Sequence, residues 1–154
     1  MKRLTEASCS AVLLVVVAAS VLVSCKKKDN FDEPNFILRK WAKATETLNF
    51  RDYKNCEAFP KSEQVFREIY RDYYIASTSV TRMGSLDEKN VNKDPDGNSY
   101  ISRAVSFECT EMKRFGSKPV RYLRGEVEFI KYEDGDRKSD GWLMWNRIIV
   151  RINK

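Results

Sequence analysis

The apolar positions change period twice along the chain. From Ala11 to Val23 they form an unbroken apolar or small-residue run; over the next fifty residues they recur every three or four positions, and from Tyr74 onward they alternate. Ile37, Trp41, Ala44 and Leu48 draw one apolar stripe, with Arg39, Lys40, Lys43 and Glu46 outside it. That spacing predicts a helix beginning near Pro34, a residue suited to the first helical turn. Asn49 interrupts it, and Phe50, Tyr53 and Cys56 predict a second, short helix over 50–57 that Pro60 stops. Ser62 is placed to cap a third helix, with Glu63 in its first turn complementing the helix dipole. Val65, Phe66, Ile69, Tyr70 and Tyr73 are its expected buried face.

Strand signals take over from Tyr74, where β-branched and aromatic residues dominate to Met83. Further strands are predicted over 100–113, with Ile101, Val105, Phe107 and Cys109 on one face, and over 120–132, with Leu123, Val127 and Phe129 opposite Arg124, Glu126 and Glu128. The last covers 142–152, with Trp142, Met144, Ile148, Val150 and Ile152 expected to face one way. Residues 84–99 read as a polar loop. Its Asp94-Pro95-Asp96-Gly97-Asn98 stretch suggests a calcium loop, but Ser99 stands where such a loop needs glycine and Val105 where it needs a bidentate Glu, so a turn is expected. Asp134-Gly135 marks a hairpin loop. Gly125 lies inside a strand, where a bulge or sharp bend is the usual reason.

The N-terminal run has its own logic. Lys2 and Arg3 precede it, and it is too short for the ~20 residues a spanning helix needs but suits a signal segment. It closes on Leu22-Val23-Ser24-Cys25: aliphatic, small, small, Cys. This order resembles the lipobox of bacterial lipoproteins. The resemblance implies a signal peptide over 1–24, diacylglyceryl transfer to the Cys25 thiol, and acylation of its new amino terminus. Several acyl chains, at about 0.8 kcal/mol per buried methylene, anchor stably where one would not. Residues 25–35 then form a lipidated tether, with Lys26, Lys27 and Lys28 against the bilayer. By the sorting rule of such lipoproteins, Asp after the acylated Cys retains a protein at the inner membrane. Lys26 there implies the outer membrane, facing the periplasm, with export to the cell surface as the other destination.

That address changes how composition is read. The 154 residues carry 28 basic and 22 acidic side chains and no histidine. Without Lys2, Arg3 and Glu6 the net charge is +5, which in the cytoplasm would keep nucleic acid open as a partner. In the envelope the polyanions are lipid head groups and polysaccharides, so nucleic acid is not expected. Of four cysteines, Cys9 leaves with the signal peptide and Cys25 is lipidated, leaving Cys56 and Cys109. An oxidising compartment lets such a pair bridge, which would stabilise by roughly 4 kcal/mol in the chain-entropy model. The alternative is two buried, reduced thiols. Two thiols without histidine make no zinc site.

Three helices followed by hairpin-linked strands in residues 36–154 define a single α+β domain. The helix bearing Trp41, the Asn49-Phe50-Arg51-Asp52-Tyr53 start of the second helix, the passage from Phe66 into the strand at Tyr74, and the closing Trp142-Leu143-Met144-Trp145 resemble the nuclear-transport-factor-2-like, or cystatin-like, cone folds. The resemblance implies a strongly bent antiparallel sheet of about four strands packed on the helices. Enzymes of that fold, the ketosteroid isomerases and polyketide cyclases, use a cavity Asp with Tyr or His partners. Asp52, Tyr53 and Tyr70 are the residues here that match in type.

No catalytic or cofactor signature stands beside this. Absence of histidine removes Ser-His-Asp and Cys-His catalysis, and no Walker or Rossmann glycine pattern is present, so no cofactor is expected. The expected role is non-enzymatic, binding an envelope protein or a small amphipathic ligand, with a cavity isomerase or cyclase as the alternative. Arg103 shares a strand face with Ile101, Val105 and Phe107, where a charge must be paired, solvated or used. It is the candidate contact for an anionic ligand. Tyr122, Leu143, Trp145 and Ile149 are the candidate outer patch for a protein partner.

Overall fold

The computed structural model describes residues 32–86 and 91–152. Cys25, the lipobox and most of the tether lie outside the described residues. Helices α1 (Asp32–Thr47), α2 (Phe50–Lys54) and α3 (Glu63–Tyr70) precede strands β1 (Tyr73–Met83), β2 (Asn92–Lys93), β3 (Ser99–Lys113), β4 (Pro119–Tyr132) and β5 (Trp142–Ile152). The α+β order is as expected. The main sheet runs β1-β3-β4-β5, antiparallel throughout, with the short β2 paired to β3. Among the described residues no helix is long and apolar enough to cross a membrane.

Helix α1 buries the predicted stripe against the sheet, with Trp41 and Leu38 wholly enclosed and Ile37 and Ala44 nearly so. Its end is set by Leu48, which takes a left-handed φ of 52°, and Asn49 N–H closes back on the Ala44 carbonyl. Asn49 then caps α2 by accepting from Asp52 N–H, while its amide donates to the Asp52 carboxylate at 2.8 Å. Ser62 caps α3 as expected. Only Phe66 of α3 is buried, with Tyr70 packed beside it. Val65 and Ile69 are exposed, so α3 turns a narrower face inward than its sequence offers.

One apolar cluster lies between α1 and the sheet, built on Trp41, Phe66, Val105, Phe107, Val127, Phe129 and Met144. A second, of Ala58, Tyr100, Ile130, Tyr132 and Leu143, covers the opposite sheet face at the β4–β5 end. Every residue of both lies between Ile37 and Met144, so the chain from Asp29 onward carries the whole described core.

Four register shifts interrupt the ladders, two in the β1–β3 pair, one near Met112 and one in the β4–β5 pair. Bulges of this kind bend a strand and raise its twist. The shift in β5 corrects the expected facing of its residues. Asn146, at a φ of 46°, and Arg147 together oppose the single residue between Glu126 and Glu128, so the alternation reverses. Met144 points to the main core; beyond the bulge Ile149 does, while Ile148 and Val150 are exposed. The expected outer patch dissolves accordingly: Leu143 is buried in the second cluster, Trp145 packs against it, and Ile149 packs on the main core. Residues 50–57 are also divided: α2 stops at Lys54, and Cys56–Ala58 bond to Met144, extending the sheet edge by one bridge.

Candidate functional site

The bridge at Glu57 organises a buried polar centre. Cys56 O accepts from Met144 N–H at 2.8 Å and Ala58 N–H donates to Met144 O at 2.9 Å, which fixes Glu57 against the start of β5. The bulge at Asn146 turns Arg147 inward, where its Nη2 lies 2.8 Å from Glu57 Oε1. The guanidinium stacks over Trp41 at 4.4 Å from the ring centroid and its Nη1 approaches Met144 Sδ. The two form a buried ion pair, with both side chains largely enclosed.

Burial penalises both charges of this pair. At Glu57 it outweighs the attraction of Arg147 and Lys61, and the carboxyl titrates above its ordinary range. At Arg147 burial lowers the pKa, but Glu57, Tyr70 and Tyr53 together outweigh it and the guanidinium stays charged. The rise at Glu57 is the consequential direction, since it is the member that titrates at accessible pH.

Tyr53 and Tyr70 border this centre. Tyr53 stacks on Phe66 at 4.5 Å between centroids, and its hydroxyl accepts from Lys61 N–H. Burial raises both phenols, Tyr70 to about 12, so neither is an acid near neutrality. Trp41 Nε1 makes no hydrogen bond, although it lies near enough to Tyr70 to favour the phenolate slightly. The third catalytic candidate, Asp52, is spent on capping α2 with Asn49. A buried acid beside two tyrosines therefore exists, but it is Glu57, held by a cation.

Cys56 and Cys109 are free, buried thiols in the same core cluster, each pushed by burial to about 12. Arg103 lies on the expected strand face, with Nη1 3.7 Å from Met83 Sδ. Among the described residues no three His, Cys, Asp or Glu side chains cluster to hold a metal. Asp94 instead ties its own turn, accepting from Asp96 and Asn98 backbone N–H groups at 2.9 Å.

Next to the buried pair lies a cleft of about 610 Å³, lined by Lys40 of α1, Lys54 and Asn55 at the end of α2, Glu57, Ala58 and Pro60, and Arg137, Asp140 and Leu143. Arg137 sits in a 3-10 turn (Asp136–Asp140), stacks on Tyr132 at 4.8 Å, donates to Ala58 O at 2.7 Å and pairs with Asp140 at 3.2 Å. Its wall is thus fixed on both sides of the connection between β4 and β5. Arg103 is not among the lining residues. Sequence reasoning missed this site because its parts come from four separate segments; the Asn146-Arg147 pair breaking β5's alternation was the one signal that a charge turns inward.

No family model matches the chain, and no curated protein matches it. Among solved structures, the intermembrane space region of chloroplast protein ARC6 is similar over 79% of this chain and 97% of that one, at 10% identity and a TM-score of 0.33. A likeness of that size carries no argument about function.

Proposed function

We propose that this chain is a lipid-anchored envelope protein, held through Cys25, whose domain binds a small molecule without transforming it. The cleft at Lys40, Lys54 and Leu143 carries the reading: it offers about 610 Å³ beside a wall fixed by Arg137, within the range of small-molecule sites. Its polar groups are arranged to hold. Glu57 is bound to Arg147, Asp140 to Arg137 and Asp52 to Asn49, so each nearby acid already has a cation or cap. Lys26 in place of an acid after Cys25 supports the outer membrane as the address. The bulges in β1 and β5 support a curled, cone-like sheet of the cystatin-like kind.

Native mass spectrometry of the chain from Asp29, purified from the periplasm, tests the binding half. A small mass released on denaturation is expected, and a bare protein at every preparation would overturn it. Palmitate labelling tests the anchor: label and membrane association should disappear together in Cys25→Ser, and membrane association retained by that variant would contradict lipidation there.

A second reading has its own observation. Val120, Tyr122, Ile148 and Val150 are exposed on one face of β4 and the edge strand β5, which favours a protein partner. Concentration-dependent association by light scattering, lost in Ile148→Lys, is its test.

A further inference from the structure

The cleft has a distinct charge pattern. Six of its lining residues are polar or charged, and the two acids are neutralised within the fold: Glu57 lies 2.8 Å from Arg147 and Asp140 lies 3.2 Å from Arg137. Lys40 and Lys54 are different. Neither makes a hydrogen bond or ion pair among the described residues, although α1 and α2 bring both to the same opening. Elsewhere surface cations with nearby acids do pair, as Lys43 does with Glu46 at 2.8 Å and Arg67 with Glu63 at 2.7 Å. Both line a cleft whose two carboxylates are already held by Arg147 and Arg137, so their charge is open to a bound anion.

The remainder of the lining is apolar and rigid. Ala58 and Leu143 are buried members of the second cluster, and Pro60 has little freedom to lose on binding. Ala58 is fixed at both ends, its N–H to Met144 and its carbonyl to Arg137. Such a floor suits a short hydrocarbon segment joined to a charged head.

We infer that the cleft takes a phosphate-type anion on Lys40 and Lys54, with the apolar part of the same molecule against Ala58, Pro60 and Leu143. This deepens the ligand-binding reading above and rests on it. A lipid head group and free phosphate share this head chemistry, and the apolar floor distinguishes them.

The test is calorimetry at low salt on the chain from Asp29, using three probes: hexyl phosphate, hexyl glucoside and inorganic phosphate. Hexyl phosphate is expected to bind at least about tenfold more tightly than the uncharged glucoside. In Lys40→Gln/Lys54→Gln that margin should vanish while glucoside binding and the urea midpoint stay unchanged. Inorganic phosphate bound as tightly as hexyl phosphate would support the anion site and make free phosphate its occupant; markedly weaker phosphate would make it a site for an amphiphile. Equal affinity for hexyl phosphate and hexyl glucoside would overturn the anion site and leave the ligand-binding reading standing. Binding of none of the three would contradict both.

Discussion

The ring of Phe107 occupies the space that a side chain at Gly125 would need. The two residues face each other across β3 and β4, and a Cβ built on Gly125 would lie 2.3 Å from Phe107 Cζ and 2.5 Å from Cε1. Phe107 is fully buried and also meets Trp41 edge to face at 6.3 Å. The glycine therefore admits an aromatic ring between sheet and helix. Of the bulge or sharp bend expected at Gly125, the bulge is not made: the β3–β4 register is unbroken at this point.

Gly125→Ala should then cost about 1–3 kcal/mol, because the ring cannot move without displacing Trp41. Phe107→Leu in the same chain should recover part of that loss by clearing the space. Urea denaturation of the two single variants and the double variant checks both. Strict additivity would contradict the steric cause.

Arg114, just past β3, ties two helix ends to the sheet. Its guanidinium donates to the Thr45 and Glu46 carbonyls at the end of α1 and to Tyr70 and Arg71 at the end of α3, while its own N–H reaches Asp72 O. These are carbonyls that a helix leaves without partners. Arg114→Met should cost about 3 kcal/mol, as several charge-assisted bonds are lost together. Arg114→Lys should recover only a minor part, since an ammonium cannot reach four carbonyls from one fork. Urea midpoints of the two variants decide it, and full rescue by Lys would show that charge alone suffices.

The Glu57–Arg147 pair predicts a pH dependence. Burial raises the Glu57 pKa in the folded chain. A raised carboxyl binds its proton more tightly folded than unfolded, so its contribution to stability is greatest below the unfolded value of about 4.3 and declines as pH rises through the folded value. Arg147→Met removes the partner that limits this decline. Its cost should be small near pH 4 and reach about 3 kcal/mol at pH 7, where an unpaired carboxylate is left buried. Urea titrations at both pH values give the answer. A cost larger at pH 4 than at pH 7 would reverse the sign and refute the assignment.

The helices and strands were legible because their signals are local. The α1 stripe and the Ser62 cap depend on neighbours within a few residues: Ile37, Trp41, Ala44 and the cap stand as read, while Leu48, the stripe's last member, lies just past the helix end and packs on the core. The failures come where one residue changes everything after it. A single extra residue at Asn146 turned Ile148 and Val150 outward and Arg147 inward, which strict alternation cannot foresee. Asn is one of the few residues that readily accept a positive φ, so its place within an apolar strand was the available sign. A charge on an apolar face was anticipated at Arg103, which lies there part-buried beside Met83; the second, Arg147, ninety positions from its partner Glu57, was not foreseen. The cleft itself had no signature, as Lys40, Lys54 and Arg137 meet only through packing.

The central claim, that this cleft holds a ligand, is tested most directly by blocking it. Asn55 lines the opening, is exposed and caps the end of α2 only through its backbone, so Asn55→Trp fills space without opening the core. Wild type and this variant, purified alike from the periplasm, are denatured and the released small molecules measured by mass spectrometry. The account predicts one compound near one equivalent per wild-type chain, and at least about tenfold less in the variant. The same amount from both proteins would place any ligand elsewhere and contradict it.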